Sequence, residues 1–506
     1  MTAVRAHDDR PAAGNSGRPG EGDEVTTTTR QRAGIIPLLV IATAQLTLVL
    51  DDSIVNIALP SIQRDLGVTV EHLPWVVNAY TLAFGSLLLL GGRIGDLWGR
   101  RRTLQLGIAV FIVASLAGGL GQNATMLIVA RAIQGVGAAL TAPNALALIT
   151  TTSSERKLRD AALSLYGAMS ALGIVVGLLL GGVLTDLLDW RWVFFINIPI
   201  GLLVLLGSRT LVAADRHHGR VGTLGAVLGT GGMVALVYAI TRVGENGFTD
   251  PIALILLGAA AVLLAVFVLT QAHSSSSLVP LSLFRDRNRS GACLAMLLLA
   301  IGPMGAFYVI TLYLQQVQQY SPLRAGVAWL PFAAGLVLGA GTAPKLLLKT
   351  APRSVAALGA LLSALAAFWF SVISVDTGYW LHLAPAMFVL ALGFGLGILA
   401  LTQAAVYRVD ADKAGIASAL LNSAQQVGVA LGLAVLAGVA AAVTAQPERA
   451  ARGTGEALVA GYGTALTVAA GVLFTAGVLA LATLSAHPVT EQDTPEPVEM
   501  NTGVGN

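Results

Sequence analysis

The sequence predicts an all-α polytopic membrane protein, a bundle of fourteen transmembrane helices. Three observations carry that expectation. Hydrophobic residues make up 55% of the 506-residue chain and charged ones 11%, with a mean hydropathy of +0.76, whereas in water-soluble domains about a quarter of the residues are charged. The apolar residues gather into fourteen runs, and a helix of about 20 residues crosses ~30 Å of hydrocarbon. Basic residues are split unevenly between alternate loops, the pattern of a chain with one cytoplasmic side.

In order, the expected spans lie near 35–59, 73–91, 103–121, 125–150, 161–184, 191–212, 221–241, 251–272, 291–316, 323–344, 353–374, 380–403, 413–443 and 457–485. Residues 1–34 are rich in Gly, Pro, Thr, Asp and Arg without apolar periodicity and read as a disordered tail. The tail has no short basic start leading into an apolar core, so the first span is expected to stay as an anchor and not be cleaved as a signal peptide. Residues 486–506 form an acidic, proline-containing tail.

With the N-terminus inside, twenty Lys and Arg residues fall on the cytoplasmic side, among them Arg100, Arg101 and Arg102. Six (Arg64, Arg191, Arg242, Arg324, Arg449 and Arg452) fall on the other. The even span count then puts both termini in the cytoplasm.

Composition also excludes functions. The single Cys293 leaves no internal disulfide and no cysteine metal cluster. All seven histidines sit in tails, loops or span ends, so no buried metal site or catalytic imidazole is expected. No nucleophile–base pair or phosphate loop stands out. The net charge of +3 and pI near 9.1 rest on too few charges to make a nucleic-acid surface. The 26 Arg against 4 Lys, with abundant Ala and Gly, fit the bias of a GC-rich bacterial genome.

The chain repeats itself weakly. Gly135 and Gly137 in span 4 precede a charged loop and a helix with Gly173 and Gly177; Gly395 and Gly397 in span 12 precede the charged loop 410–413 and a helix with Gly428 and Gly432. The offsets are 260 (395 − 135) and 255 (428 − 173). Duplicated halves are a habit of secondary transporters. The expected organisation is a cytoplasmic tail (1–34), a six-helix bundle (35–212), two inserted helices with a central cytoplasmic loop (213–290), a second six-helix bundle (291–485) and a cytoplasmic tail (486–506).

Two adjacent acids, Asp51 and Asp52, lie well inside span 1, and a charge at membrane depth is costly unless paired, protonated or wetted. Asp51 stands nine residues before Pro60 on an outward-running span, and Arg131 eight residues after Asn123 on an inward-running one. At ~1.5 Å per residue the two share a depth. Burial disfavours an ionised carboxylate and a neighbouring guanidinium favours it, a balance that a proton-carrying site needs; the other reading is a static pair that fixes packing. Gln45, Asp52 and Asn56 share one face of the helix, with Asp51 about 100° away. Which acid titrates stays open, since two close carboxylates titrate as a pair.

Four motifs resemble the fourteen-span drug:proton antiporter branch of the major facilitator superfamily. They are L-D-D-S-I-V-N-I-A-L-P (Leu50 to Pro60), G-R-I-G-D-L-W-G-R-R-R (Gly92 to Arg102), L-I-V-A-R-A-I-Q-G-V-G-A-A (Leu127 to Ala139) and W-R-W-V-F-F-I-N-I-P-I-G (Trp190 to Gly201). The resemblance implies the major facilitator fold, two six-helix bundles plus two inserted helices. It implies proton coupling through Asp51, Asp52 and Arg131, and a gating loop (Gly92, Asp96, Gly99, Arg100, Arg101) that latches the halves, with Asp96 facing the start of span 13. Gly173, Gly177, Gly181 and Gly182 of span 5 resemble the family's antiporter motif, a small-residue stripe for close helix contact. Two positions depart from the family: Asp52 replaces a small neutral residue, and Leu178 a proline.

Polar and aromatic residues within spans are the candidate cavity wall: Asn78, Tyr80, Gln134, Asn144, Tyr308, Tyr313, Asn422 and Gln425. An apolar pocket with a few polar points suits amphipathic compounds. The expected function is a monomeric exporter of drug-like molecules in the bacterial cytoplasmic membrane, driven by the proton gradient and using no other cofactor. The alternative is an uncoupled facilitator or membrane sensor in which Asp51, Asp52 and Arg131 only hold structure.

Overall fold

The computed structural model describes residues 23–486 apart from 70–71, 153–155, 212–222, 248, 274–283, 408, 410–413, 448–450 and 452. Among the described residues it has fourteen helices long and apolar enough to cross a membrane. The first six are α1 (Ile36–Leu66), α2 (Trp75–Trp98), α3 (Arg100–Gly119), α4 (Ala124–Ile149), α5 (Leu165–Leu187) and α6 (Trp192–Thr210). Two more follow, α7 (Thr223–Val243) and α8 (Pro251–His273). The last six are α9 (Arg287–Val317), α10 (Pro322–Leu347), α11 (Pro352–Ser371), α12 (Tyr379–Val406), α13 (Ile416–Thr444) and α14 (Thr454–Thr483). Helix is the only open-ended way for one chain to satisfy its backbone polar groups in hydrocarbon. Residues 1–22 and 487–506, and the loop 410–413, lie outside the described residues; residues 23–34, expected in a disordered tail, are instead helical and continuous with α1, the whole helix running Asp23–Leu66.

Span number matches the expectation, and two further boundaries are corrected. α1 does not end at Pro60 but continues to Leu66, with Pro60 inside the helix, as prolines in packed membrane helices can be. The stretch 92–102 is not a loop: α2 runs to Trp98, and the whole turn is Gly99, at φ +101°. Only glycine takes that conformation without strain.

Close helix contact is built on glycine, and the contacts display the duplication. A Cβ on Gly177 would stand 2.8 Å from Ser53 Cβ and 2.9 Å from the Leu50 carbonyl oxygen of α1, and Gly173 meets Leu46 of α1 one turn earlier. In the second half Gly428 and Gly432 of α13 lie against the carbonyls of Leu297 and Ile301 of α9. Gly135 faces Tyr80 and Ala83 of α2, and Gly395 faces Leu336 and Ala340 of α10. Gly137 and Gly397 diverge, the first packing on α3 and the second on Leu299 of α9.

The stripe on α5 is two surfaces. Gly173, Gly177 and Gly181 face α1, while Gly182, rotated by about 100°, lies against Pro322 and Leu323 of α10. Gly326 of α10 in turn packs on the Leu178 carbonyl. One face of α5 therefore holds its own half together and the next touches the other half.

Among the described residues, three side-chain hydrogen bonds join the halves at the end of the molecule remote from Gly99. Gln315 Nε2 donates to the Ile57 carbonyl (2.9 Å), Gln316 Nε2 to Gln63 Oε1 (2.9 Å) and Ser321 Oγ to Asp186 (3.2 Å). Tyr462 of α14 donates to Gln316 Oε1 at 3.0 Å. α9 ends here in a π-helical turn, Tyr313–Val317. α7 and α8 pair with each other through Gly232 and Leu264. α7 also leans on α2 and α13 through a cluster of Leu82, Val237, Ala430 and Ala434, with Trp75 and Tyr238 edge to face at 5.7 Å.

Candidate functional site

Five helices of the first half converge on Asp51. Its Oδ2 accepts from Arg131 Nη1 at 2.5 Å, and its Oδ1 accepts from Gln134 Nε2 at 3.1 Å and Asn197 Nδ2 at 2.6 Å. Asp51, Arg131, Gln134 and Asn197 are all 0% exposed. Residue counts from Pro60 and Asn123 put Asp51 and Arg131 at one height, and the two are bonded.

Arg131 is held on several sides. Its Nε donates to the Val76 carbonyl of α2 (2.9 Å), Nη1 also donates to Gln134 Oε1 (3.1 Å), and the guanidinium lies 4.4 Å from the Tyr80 ring centroid. Cation–π contact and hydrogen bonds offset part of the cost of desolvating the guanidinium. Gln134 Nε2 reaches Ser115 Oγ of α3 at 2.8 Å. Each bond here has an ionised partner or lies among fully buried side chains, where it is stronger than in water and costly to leave unmade.

Asp52 is half-buried on the neighbouring face. The polar face expected around it is divided: Asn56 Nδ2 returns to the Asp52 carbonyl (2.8 Å), and Gln45 binds Tyr166 and Ser170 of α5. The network therefore centres on Asp51.

At the Gly99 end, Asp96 Oδ1 accepts from Arg100 Nε (3.3 Å) and Nη2 (3.2 Å). Arg100 Nη1 donates to the Ala147 carbonyl near the end of α4, and Arg101 Nη1 to the Leu211 carbonyl beyond α6. Arg101 thus reaches a carbonyl just past a helix end, and Arg100 one in the last turns of a helix that runs to Thr152, where a cation is favoured by the helix dipole. The first residues before α13, where Asp96 is expected to reach, lie outside the described residues. Gly92 and Gly95 serve helix approach: Gly95 lies against the Asn144 side chain, and a Cβ on Gly92 would stand 3.6 Å from Pro143 Cβ.

The expected cavity residues do not form one wall. Tyr80 and Gln134 belong to the Asp51 network. Asn144 is a tie between helices, its Nδ2 donating to the Gly91 (3.0 Å) and Leu140 (2.8 Å) carbonyls through the notch that Gly91 and Gly95 leave. Tyr313 donates to the Ser374 carbonyl (2.7 Å) at the glutamine-rich end, too far along α9 to line a mid-membrane space. Tyr308 is buried, Gln425 half-buried and Asn422 exposed. Asn78 is fully buried, and neither of its amide atoms has a partner among the described residues. Asn197 and Ser115 are site residues that the sequence pattern does not single out. Asn197 carries a signal, an amide two residues before Pro199 in an apolar run; Ser115 carries none.

The family model of the Major Facilitator Superfamily matches residues 41–433. The puromycin resistance protein pur8 of Streptomyces alboniger is 44% identical over 468 residues, which cover 90% of this chain and 92% of that protein. The cephamycin export protein CmcT of Amycolatopsis lactamdurans is 37% identical over 442 residues, covering 86% and 88%. Among solved structures, a peptide transporter POT in complex with sulfate aligns with a TM-score of 0.63 at 15% identity, over 88% of this chain and 94% of that one, a likeness of fold alone. The chain belongs to the major facilitator superfamily, a family of multi-pass membrane transporters, in the branch that holds antibiotic resistance and export proteins.

Proposed function

We propose that this protein is a proton-coupled antiporter that exports amphipathic, antibiotic-like molecules across the bacterial cytoplasmic membrane, working as a monomer with both termini in the cytoplasm. The observation that carries the reading is the Asp51–Arg131 pair, buried without exposure in the first half. Names of the relatives, puromycin resistance and cephamycin export, support the substrate class. The orientation is supported by the arginines at the Gly99 end, and the glutamine-rich end is then extracellular.

In this reading a proton that joins Asp51 displaces Arg131 from Oδ2. Arg131 keeps the Val76 carbonyl, Gln134 Oε1 and the Tyr80 face as partners, so the released guanidinium is not orphaned. Substrate release outward requires the seal of Gln315, Gln316 and Ser321 to part. Asp96 and Arg100 act as the cytoplasmic latch, and residues 35–212 and 291–485 as the two moving bundles around the insert 213–290.

The test is uptake of puromycin into everted vesicles under an imposed pH difference, with Asp51→Asn and Asp52→Asn as variants. Coupling through this pair predicts that Asp51→Asn fails to concentrate puromycin. If both variants still accumulate it against its gradient, coupling lies elsewhere and the reading fails. Equilibration without accumulation by the unmutated protein would identify a facilitator.

A further inference from the structure

Pro199 has no N–H for the carbonyl four residues back, and the helix of the sixth span is interrupted between its segments Trp192–Phe195 and Asn197–Gly207. Asn197 opens the second segment with its side chain fully buried, and donates to Asp51 Oδ1 at 2.6 Å, closer than Gln134 at 3.1 Å. A carboxylate only accepts, so the amide nitrogen is the atom that faces it. Asn197 Oδ1 has no partner among the described residues, so the bond to Asp51 is what orients the amide.

The same segment grips α1 a second time. Trp190 Nε1 donates to Asp65 Oδ2 at 2.9 Å, and Arg191 Nη1 lies 2.9 Å from the same oxygen while its guanidinium stacks 4.4 Å over the Trp190 ring. Asp51 and Asp65 are 14 residues apart (65 − 51), which at 100° per residue returns to within about 40° of one helix face. Trp190 to Asn197 thus clamps one side of α1 at two heights. Around Asp51 the charged and titratable groups are Arg131 of α4, Tyr80 of α2 and Asp52 of α1 itself, with Tyr166 of α5 one layer away on Gln45. Among the described residues α3 and α6 present neutral Ser115 and Asn197, and α9 presents Gln315 to α1 at Ile57.

We propose that Asn197 is the positioning residue of the proton-carrying carboxylate, which it holds turned onto Arg131 while, as a neutral donor, setting the pH at which the site loads. The inference rests on the coupling reading above. It predicts a pH signature that a packing residue lacks. In purified, weakly buffered protein, puromycin addition releases protons, and the midpoint of that release against pH is the readout. Asn197→Ala moves the midpoint upward by about one pH unit, the size a hydrogen bond to a charged group supplies. Asn197→Asp, equal in size but with a second carboxylate, moves it further the same way. Asn197→Gln, which keeps an amide donor, stays closer to the unmutated value than Asn197→Ala.

Coincident midpoints for the unmutated protein and Asn197→Ala overturn the proposal while leaving coupling intact. Absence of proton release from the unmutated protein instead sinks the coupling reading itself. Should Asn197→Ala fail to fold, the nearly isosteric Asn197→Asp carries the test: an upward shift of its midpoint supports the proposal, and a midpoint coincident with the unmutated one overturns it.

Discussion

Asp51→Asn keeps the shape of the side chain, removes its charge and leaves the buried site with one donor too many. In the folded protein Oδ2 meets one donor, Arg131 Nη1, and Oδ1 meets two, Gln134 Nε2 and Asn197 Nδ2. An asparagine has one acceptor oxygen, so its NH2 must confront a donor in either orientation. Arg131 becomes a buried cation that has lost the carboxylate bonded to it. Removing one partner of a buried pair costs about 3–5 kcal/mol, a large part of a domain's total stability of roughly 5–15 kcal/mol. Arg131→Gln strands the carboxylate and is expected to cost a similar amount. The double variant Asp51→Asn/Arg131→Gln buries no charge, so its loss should fall short of the sum by roughly 2–3 kcal/mol. Reversible unfolding in mixed micelles, followed by tryptophan fluorescence, measures all three. Losses that add to within about 0.5 kcal/mol would refute a direct energetic pairing of the two residues.

Gly177→Ala places a methyl 2.8 Å from Ser53 Cβ and should destabilise the protein by about 1–3 kcal/mol in the same unfolding assay, whereas Gly167→Ala, which meets open space, should not. Gln316→Ala removes the bonds to Gln63 and Tyr462; in a Cys293→Ser background it should raise the rate at which a maleimide labels Ile57→Cys from the outside several-fold, and an unchanged rate would free Gln316 from the seal. Between α7 and α8, a hydrogen bond from Arg242 holds the Asp250 carboxyl below the usual carboxylate range. A lowered folded value contributes stability above the ordinary pKa and loses it as pH falls through the lowered one. The unfolding midpoint of the unmutated protein should therefore exceed that of Asp250→Asn at neutral pH, and the gap should close only in acid below that range; a gap independent of pH would contradict the pairing.

Much of the fold is legible in the sequence because each span is an apolar run with a length set by the bilayer, and because the glycines at 173, 177, 428 and 432 recur in both halves. The Asp51–Arg131 contact is legible because intramembrane charges are few and two of them stand at equal height. Other features depend on partners that no local pattern names. Gly182 reads as one more member of a stripe, yet a single residue's rotation turns it to α10. Asn144 reads as a cavity amide, and only the notch opposite it shows that it fills space between α2 and α4. The stretch 92–102 reads as a loop because it is charged and glycine-rich, but without a proline nothing stops α2 before Gly99. Asn197 is neutral, so the rarity that singles out Asp51 does not single it out.

The matching glycines also permit a residue-by-residue overlay of the two halves. Leu46 and Leu50 on α1 correspond to Leu297 and Ile301 on α9, an offset of 251 (297 − 46 and 301 − 50). Carrying Asp51 across by that offset lands on Gly302, and carrying Arg131 across by the 260 that relates Gly135 to Gly395 lands on Ala391, both buried. The glycine scaffold therefore recurs in both halves, whereas the buried ionisable pair has no counterpart at the matching positions of the second. On the proposed coupling, the first copy carries the hydrogen ion, and the second is built of neutral residues at the matching positions.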